Sequence, residues 1–137
     1  MVNNLLLQPQ EIEVFYVIPA LRRQLAMVMK EGGLKQSKIA DLLYIKRAAV
    51  SQYISNKRGG KVVFNEDIMK EIKTSADRIV DKFTLLSEIQ RLLRVVKNSG
   101  ELCKIHKQFS NVPEDCEPVM INCFGGEKEG NASICYR

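Results

Sequence analysis

Residues 33–59 read Gly-Leu-Lys-Gln-Ser-Lys-Ile-Ala-Asp-Leu-Leu-Tyr-Ile-Lys-Arg-Ala-Ala-Val-Ser-Gln-Tyr-Ile-Ser-Asn-Lys-Arg-Gly. Within them, Ile39, Ala40, Leu42 and Leu43 recur on one face of a short helix over 36–43. A brief turn follows, and a second short helix over 47–55 ends at Asn56. Apolar or small residues stand where two such helices must touch: Ile39, Ala40, Leu43, Ile45, Val50 and Ile54. Ala40 matters because a larger side chain there would push the pair apart. The remaining positions of the second helix, Arg47, Ala48, Ser51 and Gln52, are polar or small, which suits a face entering the major groove of DNA. The layout is that of a helix-turn-helix.

The flanks extend the helical reading. Pro9 opens a helix, where its missing N–H is harmless. Ile12, Phe15 and Tyr16 follow at helical spacing, and Pro19 restarts the helix. Leu21, Leu25, Ala26 and Met29 then share a face until Gly32-Gly33 stops it. Beyond Gly60, Ile68, Ile72, Ile79, Phe83, Leu86, Ile89, Leu93 and Val96 trace one stripe over 65–98, with Asn65 as N-cap and Gly100 as stop. A helix of that length either breaks near 74–77 or at Thr84, or turns its extra apolar face to a second copy of the chain. Dimerisation is the favoured alternative. From Glu101 onward periodicity disappears, with Pro113, Pro118, Gly125, Gly126 and Gly130 as punctuation.

The 137 residues are 45% hydrophobic and 27% charged, which fits one compact domain with a small appendage and excludes a disordered chain. The longest apolar runs, 5–7 and 14–20, fall well short of the roughly 20 residues that span a bilayer. The N-terminus lacks the basic flank and cleavage site of a secretory signal, so a cytoplasmic location without membrane contact is expected. The net charge of +5 is concentrated: residues 20–60 hold nine Lys or Arg against two Asp or Glu. Such a patch attracts polyanions.

At residues 33–59 the chain resembles the lambda-repressor/Cro-type helix-turn-helix regulators (the xenobiotic-response-element family). It is similar in particular to archaeal regulators that set this motif before a long helical region and a cysteine-bearing tail. The likeness covers 9–60 well, the next region loosely, and the tail only in its cysteines. It implies an all-α fold: a lambda-repressor-like DNA-binding domain over 1–62, a helical dimerisation region over 63–100, and an irregular Cys-rich metal- or cluster-binding segment over 101–137. It further implies that Gln36 bonds a phosphate and braces the second helix, and that Arg47, Ala48, Ser51 and Gln52 face base edges. Arg47 would fork to guanine, Gln52 pair with adenine and Ala48 rest on a thymine methyl. Lys46, Tyr53, Asn56, Lys57 and Arg58 would hold the backbone of double-stranded DNA. One motif makes few base contacts, so a homodimer on half-sites one turn apart is expected. Two positions depart from the pattern. Tyr44 stands where the turn carries a glycine, and Lys46 where a Ser or Thr caps the second helix. Either the tyrosine adopts an unusual backbone conformation or the turn is shifted.

All four cysteines, Cys103, Cys116, Cys123 and Cys135, lie in the last 35 residues with the single histidine, His106. Clustered thiols in an otherwise Cys-free chain point to a metal or cluster before disulfides. Their spacings contain no tight C-x2–4-C knuckle of the zinc type. Four thiolates suit an iron–sulfur cluster, 4Fe-4S ahead of 2Fe-2S. Zinc, held by three of the thiols and His106, is the alternative, and disulfides or free thiols remain open. His106 itself reads first as a solvated residue between Lys104 and Lys107. A cluster would couple iron or redox state to DNA affinity through the dimer. An antitoxin-like autoregulatory protein is a competing reading. Enzymatic function is not expected, since the chain has no C-x-x-C, no phosphate loop and one histidine.

Overall fold

The computed structural model describes residues 5–116, which are helical with no strand among them. Pro9 is the first residue of α1 (Pro9–Ile12), and the Gln8 N–H donates to the Glu11 carboxylate at 2.8 Å to close a capping box. The helix does not stop before Pro19. It passes through a single π turn (Glu13–Val17) into α2 (Ile18–Glu31), with the Ile18 N–H bonded to the Glu13 carbonyl. In an unbroken α-helix the Pro19 ring would clash with the carbonyl four residues back, and the wider turn relieves this.

After α3 (Gln36–Leu43) and α4 (Arg47–Ile54) come α5 (Glu66–Arg78) and α6 (Lys82–Asn98). Asn65 caps α5, accepting from the Ile68 N–H at 2.9 Å. The single helix expected over 65–98 is therefore two. Ile79 turns extended at φ −78°, ψ 112°, and Asp81 caps α6 through a box with Thr84. The break lies between the two positions expected for it. The hairpin folds Ile68, Ile72, Ile79 and Val96 into the core, joined by Leu92, while Phe83 and Leu86 stay outside at 72% and 63% exposure.

Polar groups lock that hairpin. Ser75, fully buried, donates to Glu88 at 2.6 Å. Arg91 on α6 bonds Glu88 (3.0 Å), the Ser75 hydroxyl (2.7 Å), the Glu71 carbonyl (3.1 Å) and the Glu71 carboxylate (2.5 Å). Each buried group is thus paired, which avoids the penalty of an isolated charge.

Gly100, at φ 86°, turns the chain into α7 (Glu101–Phe109). A helix here corrects the expectation of an irregular segment from residue 101. Leu102 and Ile105 enter the core, and Phe109 stacks on Tyr16 with ring centroids 4.1 Å apart. His106 is likewise not solvated: it is 5% exposed and donates from Nε2 to the Leu7 carbonyl at 2.6 Å. The Ser110 hydroxyl accepts from the Leu7 N–H at 2.7 Å, so α7 clamps the segment that leads into α1.

One hydrophobic cluster joins these parts. It runs from Ile12, Leu21 and Leu25 through Ile39, Val50 and Ile68 to Leu92 and Ile105, across both boundaries drawn in the sequence. α2 is its centre, packed against α3, α4, α5 and α6. Each fully buried Leu or Ile contributes about 1.5–3 kcal/mol. No helix among the described residues is long and apolar enough to cross a membrane.

Candidate nucleic-acid interface

α3 and α4 form where the apolar spacing places them, joined by Tyr44, Ile45 and Lys46. Ile39, Ala40, Leu43 and Val50 are buried between the pair and α2, and Ile45 and Ile54 are half-buried. Ala40 is 5% exposed and belongs to the core cluster.

Three successive helices end by the same hydrogen-bond pattern. After α2 the Leu34 N–H bonds Met29 and the Gly33 N–H bonds Lys30; after α3 Ile45 bonds Ala40 and Tyr44 bonds Asp41; after α4 Lys57 bonds Gln52 and Asn56 bonds Tyr53. This double closure requires a left-handed residue at its centre. Those residues are Gly33 (φ 97°), Tyr44 (φ 53°) and Asn56 (φ 67°). Tyr44 therefore takes the unusual conformation and the turn is not shifted. A side chain there costs about 1–2 kcal/mol relative to glycine. Lys46 begins α4 without a side-chain capping bond. The N–H groups of Arg47 and Ala48 make no hydrogen bond among the described residues, as is usual at a helix N-terminus.

On α4, Arg47, Ala48 and Ser51 are exposed, and Gln52 is half-buried at the edge of the same face. Gln36 is exposed at the first residue of α3, and its side chain makes no hydrogen bond to α4 among the described residues. Lys46, Asn56, Lys57 and Arg58 are exposed beside the face. Tyr53 is the correction: it is 2% exposed and belongs to the core, which leaves its ring no surface for a phosphate. Instead the Arg58 guanidinium sits over that ring, 5.6 Å from its centroid. The spacing of Val50, Tyr53 and Ile54 already carried this signal, because it marks the inward side of α4.

The loop after α4 is pinned from below. Gly59 has φ 75°, and a Cβ there would run into the Pro19 carbonyl. Residues 57 and 58 are thereby held against the start of α2. Among the described residues every ion pair lies in α5, α6 or α7: Arg78–Glu88, Arg91–Glu71, Arg91–Glu88 and Lys104–Glu101. Among the described residues no cation of α2 to α4 forms an ion pair, which leaves a positive field on this part of the molecule.

Of the candidate metal ligands, Cys103 lies half-buried on α7 and Cys116 is buried after it, while Cys123 and Cys135 lie outside the described residues. Burial, and then the nearby Cys116, push the Cys103 thiol above its ordinary pKa, against a smaller pull from Lys107. His106 has its Nε2 committed to Leu7, and no group of three or more His, Cys, Asp or Glu among the described residues is arranged to hold a metal. The α5–α6 polar network carried no signal in the sequence, since it joins residues 13 to 20 positions apart.

No protein-family model matches this chain, and neither a curated protein nor a solved structure is similar to it.

Proposed function

We propose that the chain is a sequence-specific DNA-binding transcriptional regulator of the lambda-repressor-like helix-turn-helix type. It acts in the cytoplasm as a homodimer, and it is a binding protein rather than an enzyme. The observation that carries this reading is the face of α4: Arg47, Ala48 and Ser51 exposed side by side, flanked by cations that form no ion pair among the described residues. A helix of that composition fits a major groove, with Arg47 on guanine, Gln52 on adenine and Ala48 against a thymine methyl. Gln36, Lys46, Asn56, Lys57 and Arg58 hold phosphates and set register. Tyr53 supports this from within by carrying Arg58.

The dimer draws support from the turn end of the α5–α6 hairpin, where Val80, Phe83 and Leu86 stand 68%, 72% and 63% exposed. Two copies joined there present two α4 helices to successive half-sites. Cys103 and Cys116, with Cys123 and Cys135, would hold an iron–sulfur cluster, 4Fe-4S rather than 2Fe-2S, with zinc as the alternative occupant. A cluster would supply a redox-sensitive cross-link to the segment after α7.

The test selects duplexes from a random pool and measures their affinity by fluorescence anisotropy at one fixed salt concentration. A selected duplex should bind about a thousandfold or more tighter than a scrambled one. Equal affinities overturn sequence-specific regulation. Iron and sulfide analysis of anaerobically prepared protein decides the cluster. The same exposed apolar residues also favour a second reading, an antitoxin-like autoregulator whose hairpin grips another protein. Sedimentation separates the two: a dimer at micromolar concentration supports the homodimer, and a monomer supports the second reading.

A further inference from the structure

Beside the loop that follows α4 lies a cleft of about 360 Å³. One wall is Phe15, Tyr16 and Pro19, around the π turn; the other is residues 56–61, which include Lys57, Arg58 and Lys61. The volume falls within the range of small-molecule sites. The two walls differ in chemistry. Phe15 shows 58% of its surface to water, and neighbouring Tyr16 is fixed by its stack on Phe109. A planar ring can lie against such a wall. The opposite wall offers three cations, no acidic side chain lines the cleft, and none of the three forms an ion pair among the described residues. Gly59 packs against the Pro19 carbonyl and Gly60 against the Asn56 carboxamide, and the N–H groups of residues 58–61 make no hydrogen bond among the described residues. Beneath the same loop the Arg23 Nε is buried without a partner. Cations and bare amides together suit a phosphate, whose charge exceeds what one carboxylate would present. The π turn is itself a feature concentrated at functional sites.

We propose that this cleft binds a small molecule joining a planar ring to a phosphate, of the nucleoside monophosphate class, and that it competes with duplex DNA for Lys57 and Arg58. The competition rests on the DNA-binding reading; the occupancy does not. Adenosine monophosphate, adenosine and inorganic phosphate are the probes, titrated separately into the full isotope-labelled chain at low salt. Adenosine monophosphate should shift the amide signals of Gly59 and Gly60 and bind about tenfold or more tighter than either half-molecule. Phe15→Ala should weaken it by about tenfold. Lys61→Ala should weaken it as well, while Arg47→Ala should leave it unchanged. Phe15 and Lys61 lie outside the core, so both variants should keep the wild-type melting temperature. Inorganic phosphate binding as tightly as the nucleotide, or indifference to Phe15→Ala, overturns the proposal and leaves the loop a plain polyanion contact. Nucleotide binding by a chain that binds no duplex upholds the cleft and overturns only the competition.

Discussion

Arg47 on α4 and Arg91 on α6 are guanidinium groups on the second helix of two successive helix pairs, and they meet opposite surroundings. Arg91 is enclosed by Glu71, Glu88 and Ser75. Arg47 is exposed and forms no ion pair among the described residues. The α5–α6 pair uses its charges to join its own helices, so they are neutralised before any partner arrives. The α3–α4 pair joins its helices with Ile39, Ala40, Leu43 and Val50, and leaves its charge outward. A surface kept positive at the expense of self-repulsion is what a polyanion ligand requires. The contrast separates what charge does for the fold from what it does for binding.

Breaking the internal network should have the largest effect. Arg91→Met leaves Glu88 buried with only Ser75 and the more distant Arg78 as partners and should destabilise the fold by about 2–3 kcal/mol, read from urea unfolding. The slope of duplex affinity against salt should not move. Glu88 makes the same point in pH. Burial alone would raise its carboxyl, but hydrogen bonds from Ser75 and Arg91, with the Arg91 and Arg78 charges, hold it below the usual glutamate range. A carboxyl lowered in the folded state stabilises above the unfolded pKa of about 4.3, and that stability disappears as pH falls through the folded value. Thermal melts between neutral pH and pH about 3 should therefore steepen for the wild type relative to Glu88→Gln.

The outward face should respond in binding and not in stability. Arg47→Ala should lose about 1–3 kcal/mol on a selected duplex and relax preference at one base pair. Equal losses on selected and scrambled duplexes would show that Arg47 reads no base. Lys57→Ala should lower the salt slope by about one unit without altering sequence preference, measured by anisotropy across a salt series. The smallest effect belongs to the turn. Tyr44→Gly relieves the left-handed tyrosine but loosens the unfolded chain, so a net gain of about 0.5 kcal/mol is expected in urea unfolding.

The legible parts of the chain are those where one residue type performs one local task. Gly33, Asn65 and Gly100 each sit at the helix boundary the sequence assigned them, because φ > 0 and N-capping depend on the residue itself. The α3 boundaries follow equally from Gln36 to Leu43. Tyr53 was misplaced because the family pattern gave it an exposed role, whereas its spacing from Val50 set it inside. The α5–α6 break was obscured by Ile79, Val80 and Phe83, whose apolar spacing continues straight through the Asp81–Thr84 box. α7 escaped notice because nine residues carrying Leu102, Ile105 and Phe109 give too few periods to read, with Cys103 and His106 between them. Of the four clustered cysteines only Cys103 and Cys116 lie among the described residues.

The bonds from His106 and Ser110 to Leu7 tie together points about a hundred positions apart along the chain. A growing polypeptide cannot make them until α7 has left the ribosome, so the side of α1 that packs on α7 stays uncovered until then. Such distant closures raise contact order and slow the final step of folding. The positively charged pair α3–α4, made of near neighbours, can take shape well before that closure, ahead of the clamp that completes the core around it.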